Sequence, residues 1–370
     1  MKILHLRASN FYGGPERQLH IHAILAGQAG MELIISSFSE GGKTPEFLDV
    51  IARDGIATHL FPVRNAYDVR AIGLVREYLR EDKVDIICSH DYRSHLIVFR
   101  ARKGTKAKWV AFSRGWTKDD LKVRIYHSLD KIFVRFADHV VAVSEAQKKK
   151  LERLMVPSGK ITVAYNSIEP DRLATVERID LRGRFNFPAE SLVAIAGGRF
   201  SNEKGQETLV RAADEALKED DRLRFVLFGD GPDLEKIRSM INRLGISDKM
   251  ICPGFERSLL GCLKGADILI NPSLSEGLPN IVLEGMALKV PVIATSVGGV
   301  PELITSGIDG VLVPEGDAAV LAAAIVRLSR DEKMRQRIIE AAFARVAESF
   351  SFKSQMAALS EVYKTVLAGA

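Results

Sequence analysis

Two carboxylates eight positions apart, Glu276 and Glu284, are the side chains of this sequence best placed to do chemistry. A short apolar run precedes the first and an apolar-periodic segment surrounds the second, which predicts a buried strand, a loop and a helix. The start of that helix offers unpaired backbone N–H groups and the positive end of its dipole, and both favour an anion. Glu276 in the loop and Glu284 one turn into the helix could accept hydrogen bonds from sugar and ribose hydroxyls. The turn between them consists of Gly277, Leu278, Pro279 and Asn280.

A second candidate loop carries two cations, Arg199 and Lys204, among glycines. It follows a predicted strand at 191–196 and precedes a helix that is predicted to begin at Gln206. Two cations at that position could neutralise a diphosphate as it leaves. The loop lacks the G-x-x-x-x-G-K-[ST] pattern of a P-loop. Gly231 lies in a third loop, whose two glycines are half of a dinucleotide fingerprint and are typical of a mononucleotide turn.

The first half of the chain offers three further candidates at the carboxyl ends of predicted strands. Gly14 belongs to a glycine pair that lets the backbone approach another group closely. His90 follows the predicted strand 85–88, and Arg114 follows the predicted strand 109–112, where Arg114 could face an anion. Ligands of open parallel sheets bind at these strand ends.

Each motif also has a simpler structural interpretation. Glu276 and Glu284 could be solvated surface glutamates separated by a turn, and the glycine pair could serve only a turn. His90 could be a hydrogen-bonded core or surface residue. Arg114 could be a solvated loop residue. These alternatives stay open when the residues are considered alone.

Length and composition exclude several classes of protein. A chain of 370 residues, 46% hydrophobic and 27% charged, is typical of a soluble globular protein with two domains. The three cysteines, Cys88, Cys252 and Cys262, lack metal-ligand spacing, so we expect a reducing compartment, no disulfide and no zinc. The amino-terminal residues read as a strand rather than a signal peptide, and no apolar run approaches the roughly 18 residues of a spanning helix.

Positive charge is concentrated in the first half of the chain. Residues 1–170 contain 27 Lys+Arg and 19 Asp+Glu, a balance of +8, while the whole chain has a net charge of +5. Such a balance suits nucleic acid, an anionic membrane surface or an acidic substrate. We rank nucleic acid last because no nucleic-acid motif accompanies the charge. The segment 118–139 is predicted as one basic amphipathic helix, either packed on the core with a solvated cationic face or in contact with an anionic membrane.

Short apolar runs alternate with longer helical patterns, which predicts an α/β fold with parallel sheets. The alternation breaks at 166–190 and then restarts. We therefore expect two Rossmann-like domains whose loops face a cleft, at 1–168 and 191–348, with a linker at 169–190 and a final segment at 349–370. The predicted strands are 3–6, 32–36, 58–61, 85–88, 109–112, 140–143 and 161–164 in the first half, and 191–196, 224–228, 251–255, 266–271, 290–295 and 311–314 in the second.

The order of these motifs resembles the GT-B retaining glycosyltransferases of family 4. The resemblance runs from residue 1 to about residue 365 and is more specific in the second half. The motifs that carry it are Gly13-Gly14-Pro15-Glu16, Gly198-Arg199-Phe200 with Glu203-Lys204-Gly205, Phe228-Gly229-Asp230-Gly231-Pro232, Glu276-Gly277-Leu278-Pro279 with Leu283-Glu284, Gly298-Gly299-Val300-Pro301-Glu302, and Gly307 with Gly310-Val311-Leu312-Val313.

The resemblance implies transfer of a sugar from a nucleoside diphosphate sugar with retention of configuration and no essential metal or cofactor. In the second domain, Arg199 and Lys204 would hold the diphosphate and Glu284 would bind the ribose hydroxyls. Glu276 would contact the donor sugar, helped by backbone N–H groups of residues 277–280. Gly231 would belong to the same donor site.

In the first domain, the resemblance implies that Gly14 lets a loop close onto the donor and that His90 lies near the reacting centre. The last helix would cross back to this domain. Two positions depart from the family pattern. Asn166-Ser167 replaces the usual Asn-Gly, which we expect to change only a turn. Arg114-Gly115 replaces a common His-Gly, which puts a second catalytic histidine in doubt and points to an anionic acceptor.

The leading hypothesis is therefore a transferase that moves a sugar from a UDP- or GDP-sugar to a cell-envelope glycan or a lipid-linked acceptor. We expect it in the cytoplasm, with association to the inner face of the membrane as a further hypothesis. A GT-B nucleotide-sugar epimerase and a catalytically silent sugar-nucleotide-binding subunit are the alternatives. A Rossmann dehydrogenase is disfavoured because no complete G-x-G-x-x-G follows a strand.

Overall fold

The computed structural model describes residues 1–28, 30–116 and 121–369. These residues divide into two compact units. The first comprises 1–116, 121–167 and 352–369, and the second comprises 168–351. The predicted α/β fold is confirmed, because each unit is built around its own parallel sheet.

The sheet of the first unit has seven strands in the order β3-β2-β1-β4-β5-β6-β7. All of its strand pairs are parallel, and the central strands are apolar because helices cover both faces of the sheet. The strands differ from the predicted ones by a few residues at their ends. They are β1 Lys2–Leu6, β2 Glu32–Glu40, β3 Thr58–Val63, β4 Ile86–Ser89, β5 Lys108–Ser113, β6 His139–Ala142 and β7 Ile161–Val163.

Helices connect these strands and a last helix completes the unit. Two short 3-10 helices, Val134–Phe136 and Ser158–Lys160, precede β6 and β7. The α-helices are Gly14–Gln28, Glu46–Arg53, Arg70–Glu81, Tyr92–Ala101, Leu121–Phe133, Glu145–Arg153 and Phe352–Ala368.

The single helix predicted at 118–139 is shorter in the structure. The α-helix ends at Phe133, a 3-10 turn follows, and His139 already begins β6. Asp138 explains the end of the helix: its backbone N–H donates to the Trp109 carbonyl at 2.9 Å, and its carboxylate accepts from the Trp109 N–H at 2.7 Å. These bonds direct the chain into the sheet. Residues 118–120 of the prediction lie outside the described residues.

The last helix, Phe352–Ala368, packs into the core of the first unit. Its residues Leu359, Val362 and Tyr363 are almost fully buried among side chains of β1, β4 and the first helix. Ser167 reinforces this packing, because its hydroxyl lies 2.8 Å from Gln355 of the last helix and its N–H donates to Gln18 at 3.0 Å. The position where we expected only a turn therefore ties two helices together.

The second unit contains a six-stranded sheet in the order β10-β9-β8-β11-β12-β13, again with parallel pairs. The strands are β8 Leu192–Gly197, β9 Leu223–Phe228, β10 Met250–Gly254, β11 Ile268–Asn271, β12 Val292–Thr295 and β13 Val311–Val313. The helices of this unit are Pro170–Ala174, Leu181–Phe185, Gln206–Glu219, Leu234–Arg243, Leu259–Gly265, Asn280–Ala287, Val300–Leu303, Ala318–Arg330 and Glu332–Ser349, with a 3-10 turn at Asn202–Lys204.

The segment 169–190, which we expected to be a linker, is folded onto the second unit. Its two short helices are anchored there, since the Ile179 N–H donates to the Gly261 carbonyl at 3.1 Å and Leu181 is fully buried. Gly261 leaves room for this contact, because a Cβ there would lie 2.7 Å from the carbonyl oxygen of Glu177. The polar sequence concealed this packing because its arginines pair with residues far along the chain, Arg182 with Asp267 and Arg184 with Glu256. Among the described residues, no helix is both long enough and apolar enough to cross a membrane.

Candidate functional site

The loop after β11 leads into the helix Asn280–Ala287, as the sequence predicts. Pro279 is the residue before the first helical turn, and no side chain among the described residues caps the helix there. The amides of the first turn are therefore not covered by a side-chain cap, which suits an anion. Glu284 lies one turn into the helix and is only 5% exposed.

Glu276 is held in a fixed position by two neighbours. Its Oε1 atom lies 2.7 Å from Lys204 Nζ and 2.7 Å from the hydroxyl of Ser273. The Glu276 side chain is 9% exposed and that of Lys204 is 29% exposed, so the ion pair is partly shielded from water. The structure thus brings together two predicted site residues. It adds Ser273, which the sequence alone did not single out.

Backbone close approach explains the glycines of this region. A Cβ at Gly229 would lie 1.8 Å from the carbonyl oxygen of Gly198, and one at Gly298 would lie 1.9 Å from that of Glu276. A Cβ at Gly231 would similarly lie 2.3 Å from the carbonyl oxygen of Phe200. Each of the three glycines also has a positive φ angle. They let four loops pack in two pairs, backbone against backbone, and donor contact by Gly231 remains a prediction.

The loop that carries Arg199 is held by hydrogen bonds on both sides. The Phe200 N–H donates to the Asp230 carbonyl at 2.9 Å, and Gln206 Nε2 donates to the Arg199 carbonyl at 2.8 Å. Arg199 itself is exposed, while Lys204 lies at the wall of a pocket. That pocket is lined by Gly198, Phe200, Lys204, Gln206, Asn271 and Ser273, among others.

In the first unit, a buried ion pair positions the glycine loop. Arg7 Nε lies 2.8 Å from Glu16 Oε1, and the Gly13 N–H donates to Glu16 Oε2 at 3.1 Å. Burial raises the pKa of the Glu16 carboxyl, but Arg7 more than offsets that effect and the pKa lies below its usual value. Arg7 also donates to the His90 carbonyl at 2.9 Å. The loop of Gly14 and the loop of His90 are therefore joined by one guanidinium.

His90 and Arg114 lie together because they follow adjacent parallel strands, β4 and β5. Arg114 Nη2 is 3.5 Å from His90 Nδ1, and Arg114 Nη1 donates to Asn166 Oδ1 at 3.3 Å. Burial, and then the nearby charge of Arg7, lower the pKa of Arg114 to about 10. Asp91 caps the next helix and accepts from the Ser94 N–H at 2.9 Å, which fixes the backbone beside His90.

The predicted site residues thus fall into two groups, one in each unit. Gly14, His90 and Arg114 belong to the first unit. The second unit holds the cations, the carboxylates and the glycines of the predicted donor site. A fixed ammonium, a fixed carboxylate and a helix start suit a ligand with both a phosphate and hydroxyl groups.

Several known proteins resemble this chain in sequence or in fold. An uncharacterized glycosyltransferase of Methanocaldococcus jannaschii is 26% identical over 301 residues, which are 77% of this chain and 76% of that protein. The N-acetyl-alpha-D-glucosaminyl L-malate synthase of Bacillus anthracis is 26% identical over 308 residues, 81% of this chain and 80% of that protein. Among solved structures, Anabaena HepE in complex with UDP and glucose superposes with a TM-score of 0.85 at 20% identity, covering 99% of this chain and 100% of that one.

Two family models account for most of the sequence. The model described as Glycosyltransferase Family 4 matches residues 12–172, and the model described as Glycosyl transferases group 1 matches residues 177–345. The first match lies almost entirely in the first unit and the second lies within the second unit. The chain therefore belongs to the family 4 glycosyltransferases of the GT-B fold.

Proposed function

We propose that this glycosyltransferase moves a sugar from a nucleoside diphosphate sugar to a glycan or lipid-linked acceptor of the cell envelope, with retention of configuration and without a metal ion. The observation that carries the donor assignment is that Lys204 and Ser273 fix Glu276 within the loop that leads into the helix Asn280–Ala287. The presence of UDP and glucose in the HepE structure supports a UDP-sugar.

In the proposed reaction, the bond between the anomeric carbon and the diphosphate oxygen breaks while the acceptor oxygen bonds to the same face of that carbon. The proton of the acceptor hydroxyl passes to the departing diphosphate. Arg199 and Lys204 stabilise the negative charge that develops on the diphosphate. Glu276 orients the sugar hydroxyls, and Glu284 binds the ribose. No side chain acts as a covalent nucleophile in this scheme.

We further propose that the acceptor carries a negative charge, bound in the first unit. Arg114 Nε is buried and has no hydrogen-bond partner among the described residues. A guanidinium with a free donor is suited to a carboxylate or a phosphate. The Bacillus anthracis relative supports this assignment, because L-malate in its name is a dicarboxylate.

Removing the carboxylate of Glu284 is expected to abolish stabilisation by the donor nucleotide. In a thermal-shift panel of UDP-, GDP-, ADP-, TDP- and CMP-sugars, one base class should stabilise the wild type, by about 2.7 kcal/mol at 100 times its dissociation constant. Glu284→Gln, which keeps the shape, should lose that shift. Glu235→Ala, an exposed change at the start of another helix, should keep it. An unchanged shift in Glu284→Gln would contradict the proposed ribose contact.

The alternatives give different outcomes. A nucleotide-sugar epimerase would release an epimerised sugar nucleotide without any acceptor. A silent binding subunit would show the thermal shift but no turnover with any acceptor. The transferase requires both binding and loss of the sugar from the donor.

We also propose that the helix Leu121–Phe133 and the turn after it bind an anionic membrane surface. Leu129, Ile132 and Phe136 are 40%, 48% and 51% exposed, and Lys131 and Arg135 lie between them in the sequence. Exposed apolar side chains interleaved with cations are typical of interfacial helices. The positive charge balance of residues 1–170 supports contact of this surface with anionic lipid.

Reversing one of these charges is expected to weaken membrane binding. Because a cation near an anionic surface contributes about 1 kcal/mol, the reversal Lys131→Glu costs about 2 kcal/mol and should lower partitioning onto phosphatidylserine-containing vesicles by about 30-fold at low salt. Lys149→Glu, the same charge change on another helix, should have a much smaller effect. Co-sedimentation measures both variants. Equal losses in the two variants would indicate only a general charge effect and would contradict this surface.

A further inference from the structure

A buried cluster of polar side chains extends inward from His90, and the proposed transfer does not use it. It contains His5 of β1, His22 of the first helix and Tyr363 of the last helix. Their exposed fractions are 0%, 4% and 0%, and that of His90 is 3%. Buried polar groups are costly unless they are hydrogen-bonded, so the pattern of bonds in this cluster has to be consistent throughout.

The four groups form a continuous series of contacts that begins at Arg114. His90 Nε2 lies 2.9 Å from His5 Nδ1, and the planes of the two rings are inclined by only 24°. His5 Nε2 lies 3.4 Å from the Tyr363 hydroxyl, which lies 3.3 Å from His22 Nε2. Arg114 Nη2 approaches the other nitrogen of His90, Nδ1, at 3.5 Å.

The donors in this series determine its direction. A guanidinium can only donate, so His90 Nδ1 has to accept from Arg114. A neutral His90 then carries its proton on Nε2 and donates it to His5 Nδ1. His5 in turn carries its proton on Nε2 and donates it to Tyr363, whose hydroxyl can donate to His22 Nε2.

The environment keeps these rings neutral. Burial lowers the pKa of His5 and of His90 well below the ordinary value, and it lowers the pKa of His22 to about 3. The nearby charge of Arg114 acts in the same direction on all three rings. Burial also raises the pKa of Tyr363 well above its ordinary value, so its hydroxyl keeps its proton.

We infer that Tyr363 is a positioning residue, which acts through His5 to hold His90 in the tautomer protonated on Nε2 and thereby keeps Arg114 in place. Without the Tyr363 hydroxyl, His5 Nε2–H has no acceptor in this series, and His5 can move its proton to Nδ1. His90 would then have to accept at Nε2 and carry a proton on Nδ1. That N–H would face the Arg114 guanidinium, which also only donates.

The last helix then has a role that packing alone does not require. Leu359 and Val362 bury apolar surface, and any apolar residue of similar size would do so. Tyr363 contributes a hydroxyl that can accept from His5 and donate to His22, and an apolar residue could do neither. Its link to transfer rests on the proposed function, whereas its effect on the histidine tautomers does not.

The test is nitrogen NMR of protein labelled with ¹⁵N in its eight histidines, assigned with His5→Gln and His90→Gln variants. In the wild type at neutral pH, we expect His5 and His90 to be neutral and protonated on Nε2. In Tyr363→Phe, we expect both rings to lose that single tautomer. Tyr78→Phe removes a tyrosine hydroxyl beside His59 in the same unit and should leave the His5 and His90 signals unchanged.

Two results would overturn the inference: His90 protonated on Nδ1 in the wild type, or unchanged tautomers in Tyr363→Phe. If Tyr363→Phe does not fold, the wild-type spectrum still decides the direction of the series. With the donor that gives a thermal shift, Tyr363→Phe should lower kcat by about tenfold and leave the KM for the donor unchanged. If the tautomers change in Tyr363→Phe but the wild type turns over no donor, the proposed function is wrong. The assignment of the tautomers is then still correct.

Discussion

Replacing Lys204 by alanine is expected to lower the turnover number for sugar transfer by about 100- to 1,000-fold, the usual effect of losing one preorganised group that stabilises transition-state charge. Lys204 would neutralise the departing diphosphate, and it also pairs with Glu276 at 2.7 Å. Without Lys204, the Ser273 hydroxyl is the remaining partner of Glu276 Oε1 among the described residues. The Glu276 side chain is 9% exposed, so water replaces the lost cation only in part. The turnover number is measured as the rate of nucleoside diphosphate release. The donor is the sugar nucleotide that raises the melting temperature.

Two matched variants serve as controls for Lys204→Ala. Lys218→Ala removes an exposed lysine from the helix Gln206–Glu219, where its partner is Asp214 one turn earlier, and it should keep wild-type turnover. Lys204→Arg keeps a cation and should retain more activity than Lys204→Ala. If Lys204→Ala turned over as fast as Lys218→Ala, the proposed role of Lys204 would be wrong.

Replacing Gly229 by alanine is expected to cause the largest loss of stability among the changes considered for the second unit. Its φ is +138°, and the new Cβ would lie 1.8 Å from the carbonyl oxygen of Gly198. Backbone atoms on both sides cannot rotate away as a side chain would. Strain and overpacking together should lower the free energy of unfolding by about 4 kcal/mol. Urea denaturation followed by circular dichroism measures this value.

Gly245→Ala is the control for this change. Gly245 also has a positive φ, of +70°, but no heavy atom lies within 4 Å of a Cβ built there. Its replacement should therefore cost only the conformational penalty, about 1 kcal/mol. Similar losses for the two variants would show that the loops of Gly198 and Gly229 do not pack rigidly. Because Arg199 follows Gly198, Gly229→Ala should also weaken donor binding.

The tertiary structure explains why these two experiments differ in kind. Lys204 is replaceable without a clash, so its loss is expected to appear in kcat. Gly229 supports the loop that carries Arg199, so its loss is expected first in the free energy of unfolding. Measuring both quantities for both variants separates charge stabilisation from loop packing.

Local patterns in the sequence determined the architecture of each unit. Apolar runs of four to six residues between helical segments are enough to specify buried parallel strands, because burial on both faces excludes polar residues there. The same local patterns predicted the break in the strand–helix alternation near residue 168. They also predicted the loop and helix around Glu276. The predicted strands therefore agree with the observed ones to within a few residues.

Contacts between residues far apart in the chain required the tertiary structure. Lys204 and Glu276 are 72 positions apart, and His5 and Tyr363 are 358 positions apart. No local periodicity encodes such a pair, because the distance depends on how strands are ordered in a sheet and how helices cover it. Ser273 and Ser167 were missed for this reason, since a lone serine has no signal until its partner is known.

Contacts between distant residues also explain the incorrect expectation for the segment 169–190. Its polar composition indicated a linker, yet the structure packs it on the second unit through the ion pairs of Arg182 with Asp267 and Arg184 with Glu256, besides the bond from Ile179 to Gly261. The partners of the two arginines lie 85 and 72 positions further along the chain, so the composition of the segment does not reveal these pairs. The sequence by itself determined the fold class and the family, and it predicted a chemistry for the candidate loops. Only the tertiary structure decided which charges, hydroxyls and rings meet, because those meetings depend on long-range packing.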